Sequence, residues 1–173
     1  MFSSKYRVLA VFFTDPYSQG GFGLREISRE ASLAPASTKQ YLQELQQEQL
    51  VRAVTNRRGQ PKYVASENKQ FRFLKKQHTI RVLQEAIPTL VDSTLPDCII
   101  LFGSAARGED TRESDVDLYI QSRQQDISLF SYEKLLKRKI SVLFSDSFNN
   151  LSQELKNNLV NGVVLYGYLE AFP

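Results

Sequence analysis

The chain has 173 residues, of which 42% are hydrophobic and 24% charged, the balance of a folded protein rather than a disordered one. One cysteine and one histidine exclude a disulfide framework and a zinc site built from those two alone. No apolar run approaches the roughly 20 residues that span a bilayer, so no membrane partner and a cytoplasmic location are expected.

The net charge of +3 is divided unequally. Residues 1–76 carry thirteen basic and six acidic side chains, a balance of +7, while residues 77–173 carry −4. That split predicts two modules, one suited to a polyanion and one to cations.

Tyr6, Val8, Leu9, Val11 and Phe12 predict a short apolar helix, opened by Ser3 or Ser4 and ended by Asp15-Pro16. Gly20, Gly21 and Gly23 read as a flexible connection. Leu24, Ile27, Ser28 and Ala31 recur at helical spacing, and Pro35 opens a third helix whose apolar stripe is Tyr41, Leu42, Leu45 and Leu50. Two β-type runs follow, Val51 to Thr55 and Lys62 to Ala65, joined by a basic tip from Asn56 to Pro61.

Three helices and a hairpin in this order resemble a winged helix-turn-helix domain over residues 1–67. The resemblance implies DNA as a partner. Ser37, Lys39, Gln40 and Gln43, beside Ala36, would lie on the exposed face of the third helix and meet base edges. Arg57, Arg58 and Lys62 on the wing would meet phosphates. Such domains usually read two half-sites, so a homodimer is also expected.

Residues 68–93 predict one long linking helix, with Phe71, Leu74, Ile80, Leu83, Ile87, Leu90 and Val91 available to pack, and Pro88 bending or interrupting it. Strands are expected at Asp97 to Phe102, Val116 to Ile120 and Ile140 to Phe144, with helices at Leu129 to Lys139 and Asn149 to Asn161. A closing strand fits Val163 to Tyr166. Strands interleaved with helices over residues 94–173 make the expected fold class α+β, with a small mixed sheet.

Between the first two of those strands lies the informative segment. A strand ending in Gly103-Ser104 lets backbone approach a phosphate closely, and the helix start that follows offers free N–H groups. The Ser104 hydroxyl adds a donor, and Arg107 either serves the phosphate or pins the loop. Asp115 and Asp117 stand two apart on a strand, so both carboxylates share one face while Val116 and Leu118 enter the core. Two carboxylates so placed repel unless a cation lies between them, and Mg²⁺ or Mn²⁺ bridging them to triphosphate oxygens meets that need.

Gly-Ser, ten residues, then Asp-x-Asp resembles the DNA polymerase β-like nucleotidyltransferase superfamily, most closely its minimal nucleotidyltransferase branch. Arg107-Gly108 and Ser114 also look like family usage, Arg107 and Ser114 on the nucleotide side. The resemblance implies ATP or another nucleoside triphosphate as substrate, a divalent metal, and transfer of AMP to a protein hydroxyl. It further implies an antitoxin-like role beside a HEPN-type ribonuclease partner. One position departs from the pattern: where a third carboxylate is usual on the next strand, this chain has Ser141. A second reading follows from that, a non-catalytic regulator whose transferase domain senses a nucleotide.

Overall fold

The computed structural model describes residues 3–16 and 20–171, which divide into two compact units between Lys75 and Lys76. In the first, α1 (Ser4–Thr14) is capped by the Ser3 hydroxyl, which accepts the Tyr6 N–H at 3.3 Å. Helix α2 (Leu24–Glu30) and helix α3 (Pro35–Gln47) follow, the latter with proline at its first position. Val8, Phe12, Ile27, Leu42 and Leu45 are almost wholly buried at the centre of this unit. The Arg7 guanidinium donates to the Ala31 and Ser32 carbonyls at the end of α2, satisfying acceptors that the helix leaves open.

Strands β1 (Val51–Thr55) and β2 (Pro61–Ala65) pair antiparallel. The glycine-rich connection before α2 is more constrained than its composition suggests. Phe22 exchanges two backbone hydrogen bonds with Tyr63 on β2, at 2.8 and 2.9 Å. Gly21 permits the approach: its φ is +68°, and a Cβ there would stand 2.8 Å from the Tyr63 carbonyl.

Helix α4 (Lys69–Thr94) contributes Phe71 and Leu74 to the first core. Its later turns contribute Val82, Leu83, Ala86 and Leu90 to the second. The helix continues through Pro88 rather than breaking there, and the nearby Glu85 carbonyl accepts the Tyr132 hydroxyl at 3.1 Å.

The second unit is a four-stranded mixed sheet, so the α+β reading stands. Its strands are β3 (Cys98–Phe102), β4 (Val116–Gln121), β5 (Ile140–Ser145) and β6 (Val163–Gly167), in the order β5-β4-β3-β6. Strand β3 runs antiparallel to both β4 and β6, while β4 and β5 are parallel. One sheet face, with Ile99, Leu101, Val116, Leu118 and Ile120, packs under α4 and α6 (Phe130–Leu136). The other, with Cys98, Ile100 and Tyr119, is covered by Phe148 and by Leu159 of α7 (Gln153–Val160). Burying each of Ile99, Ile100 and Leu101 contributes about 1.5–3 kcal/mol before entropy is counted.

Two expected helices are shorter than their patterns. The stretch Leu129 to Lys139 is helical only to Leu136, because Lys137 turns left-handed (φ +53°) and sends Arg138 inward. Asn149 to Asn161 divides into a 3₁₀ turn at Phe148–Asn150 and then α7, since Ser147 and Ser152 each cap a separate start. No helix among the described residues is long and apolar enough to cross a membrane.

Candidate active site

The candidate site lies where β3 ends and β4 begins. Phe102 closes β3, and Gly103 then takes a φ of +69° and starts α5 (Gly103–Arg107). Phe102 is the register partner of Asp117 on β4, which brings the Gly-Ser turn against that carboxylate. A Cβ on residue 103 would overlap Asp117 Oδ2. Glycine is therefore required twice over, by its conformation and by the space.

Asp115 precedes β4 by one residue and is exposed; Asp117 lies in the strand and is half-buried. Val116 and Leu118 between and beyond them are buried at 0% and 1% exposure, so the alternation expected from the sequence holds. Burial first, and then the neighbouring Asp115 charge, push the Asp117 carboxyl above its ordinary value. A cation between the two carboxylates would offset their repulsion and favour the charged form despite the burial.

Helix α5 has five residues, so it develops little of the macrodipole of a longer helix. What it offers an anion is the set of open backbone N–H groups at its start. Ser104 is half-buried beside them. Arg107 and Ser114, the other residues expected on the nucleotide side, make local hydrogen bonds. Arg107 Nε donates to Glu109 at 2.8 Å, which pins the loop. The Ser114 hydroxyl accepts the Thr111 N–H at 3.0 Å and closes the turn leading to Asp115.

On β5, Ser141 is exposed and is the register partner of Asp117. It therefore stands on the strand next to that carboxylate. Asp146 falls just beyond the strand, which ends at Ser145.

A buried pair supports this arrangement. Asp110, in the loop before Asp115, forms an ion pair with Arg138, which precedes β5. Burial pulls the Arg138 guanidinium down to about 10, so it remains charged at neutral pH. The sequence holds no local signal for the pair, since both lie among other charged residues: Glu109 on one side, Lys137 and Lys139 on the other.

The donor set fits a small hard cation. It consists of two carboxylates, a neutral hydroxyl opposite, and a backbone turn without a side chain in the way. Among the described residues no three His, Cys, Asp or Glu side chains gather into a metal-holding group. An ion at Asp115 and Asp117 would complete its shell with water or substrate oxygens.

The first unit presents a separate surface. Ser37, Lys39, Gln40 and Gln43 are all exposed on α3. In the β1–β2 turn, the Asn56 side chain accepts the N–H groups of Arg58 and Gln60, both at 2.9 Å, leaving Arg57 and Arg58 exposed. With Lys62 they line an open hollow of about 700 Å³.

A Methanocaldococcus jannaschii protein named "Putative protein adenylyltransferase" is 32% identical over 77 residues, which cover 40% of this chain and 77% of the relative. Residues 84–170, which contain the whole Gly103 to Asp117 segment, match the family described as "Polymerase beta, Nucleotidyltransferase". With half its length matched in this way, the chain belongs to the polymerase β nucleotidyltransferase family.

Proposed function

We propose that this protein transfers AMP from ATP to a hydroxyl of a protein acceptor, and that it binds DNA through residues 1–67. The observation that carries the first part is the Gly103–Asp117 contact zone. A turn that only glycine can make lies against the Asp117 carboxylate on β4, with a second carboxylate, Asp115, just before the strand. Members of this family take a nucleoside triphosphate and a divalent metal ion. Mg²⁺ or Mn²⁺, when bound, supplies charge neutralisation at the phosphates.

The chain's own residues then have distinct tasks. Asp115 and Asp117 would hold the cation, and the backbone N–H groups of Gly103 and Ser104 would orient the phosphates. The acceptor oxygen forms a bond to the α-phosphorus, the α–β anhydride breaks, pyrophosphate leaves, and the acceptor proton passes to water. The name of the archaeal relative supports a protein acceptor. A HEPN-type ribonuclease is the acceptor that the resemblance to minimal nucleotidyltransferases favours, which would make the chain antitoxin-like.

For DNA, three helices followed by an arginine-tipped hairpin support a winged helix-turn-helix reading. In it α3 enters the major groove and Arg57, Arg58 and Lys62 hold phosphates. A second copy would read the second half-site. Fluorescence anisotropy with duplex DNA at two salt concentrations tests this: affinity should fall steeply with salt, and Arg57→Ala/Arg58→Ala should flatten the dependence. Salt-independent binding, or none at low salt, would refute it.

Incubation with α-labelled ATP, Mn²⁺ and a HEPN-type ribonuclease tests the transfer. Label on the acceptor, lost in Asp115→Asn, is the expected result. One observation favours a second reading, a nucleotide-sensing regulator without turnover: Ser141 stands beside Asp117 and cannot act as a base at neutral pH. Nucleotide binding with no label on any acceptor would establish that reading instead.

A further inference from the structure

Asp117 has one direct neighbour across each strand ladder, Phe102 on β3 and Ser141 on β5. Paired residues on adjacent strands project to the same face. The groups flanking the Asp117 carboxylate across the sheet are therefore a phenyl ring and a hydroxyl, and neither carries charge. Along its own strand Asp115 lies on one side, and wholly buried Tyr119 on the other. The chain thus presents two negative charges at this place, with no third His, Cys, Asp or Glu grouped with them among the described residues.

Two carboxylates neutralise one divalent cation. A second divalent cation a few ångströms away would face the full repulsion of the first, with no protein charge left to offset it. A neutral hydroxyl is a weak ligand for a hard cation and adds nothing to that balance. The offset has to come from outside the chain, and a triphosphate supplies it.

Resting on the nucleotidyl-transfer reading, we propose that the protein alone holds a single divalent cation and that Ser141 is the residue that sets this number. A second cation enters only with the nucleotide that carries it. A carboxylate at position 141 would stand one strand spacing, about 4.8 Å, from Asp117 on the same face, and would complete a site for two ions. Ser141 is exposed, so that substitution meets solvent rather than the core.

The test counts ions rather than turnover. Mn²⁺ is titrated into the full chain without nucleotide, and free Mn²⁺ is followed by electron paramagnetic resonance. The native protein should bind one Mn²⁺ per chain, Ser141→Ala one, Asp117→Asn none and Ser141→Asp two. With α,β-methylene-ATP present, the native count should rise from one to two. Two ions on the native protein without nucleotide would overturn the proposal. So would a folded Ser141→Asp chain, checked by circular dichroism, that still binds one. Ser141→Glu repeats the measurement if Ser141→Asp does not fold. Label transfer from ATP is scored separately: its absence with the ion counts as expected refutes only the transfer reading. No Mn²⁺ bound with or without nucleotide refutes both.

Discussion

Asp110 and Arg138 form an ion pair sealed inside the second unit, their side chains 0% and 2% exposed. Asp110 belongs to the loop that delivers Asp115 to the site, and Arg138 to the turn that feeds Ser141 on β5. Close by, the Val116 N–H donates to the Lys139 carbonyl at 2.9 Å. The two approaches to the site are thereby joined. Losing one partner strands a buried charge, which costs about 3–5 kcal/mol, whereas replacing both by apolar groups of similar volume is far milder. Asp110→Asn should lower the urea midpoint of the second unit sharply, and Asp110→Leu with Arg138→Met should recover most of the loss. Equal destabilisation by the single and double variants would show that the pair is not what holds these segments.

Gly103→Ala tests the contact at the site itself. The left-handed conformation alone costs an alanine about 1–2 kcal/mol, and the added methyl must also displace the Asp117 carboxylate. The expected outcome is a modest stability loss with at least a tenfold fall in Mn²⁺ affinity, read by calorimetry. Gly59→Ala is the control. Its φ is +74°, but a Cβ there meets nothing within 4 Å, so it should pay the conformational cost without touching metal binding.

These two cases also separate what was legible in the chain from what was not. Gly103, Ser104, Asp115 and Asp117 lie within fifteen residues, and apolar strands bracket them, so local spacing alone placed them together. Ser141 could be put on the next strand because Ile140 to Phe144 announces that strand by apolar content, but its pairing with Asp117 depends on the order and register of strands distant in sequence. Arg138 gave no such sign: Lys137, Arg138 and Lys139 read alike, and only a left-handed residue at 137 turns the middle one inward. The Phe22–Tyr63 pairing was hidden for a different reason. It is a single long-range bridge, and the glycines that permit it have the composition of a loose linker.

His78 should make stability depend on pH. Burial first, then the charges of Arg138 and Arg81, push its imidazole down from 6.5 to about 4. Between those values the unfolded chain binds a proton that the folded chain refuses, so stability must fall as pH descends from 6.5 towards 4 and level off below. The side chain is partly exposed, and solvent screening reduces the effect to about 1–2 kcal/mol. Urea midpoints at pH 7 and pH 4.5 measure it. His78→Gln should lose less stability across that interval than the native chain, and an identical loss would show that other groups carry the pH dependence.

Cys98 should be inert in the folded protein. Its thiol is fully buried at the start of β3, and burial pushes it up to about 11, with Asp97 adding to the rise. At pH 8 the thiolate that attacks a disulfide reagent is therefore scarce, and the reagent has no path to it while β3 stays paired to β4 and β6. Labelling by a dithiobis(nitrobenzoate) reagent should proceed only through opening of those strands, so its rate should track the stability of the sheet. Asp110→Asn, which weakens the same unit, should accelerate labelling in proportion to its loss of stability. Guanidinium should make the thiol react at once. Rapid labelling of the native chain, indifferent to Asp110→Asn, would mean that β3 opens locally without the rest of the sheet.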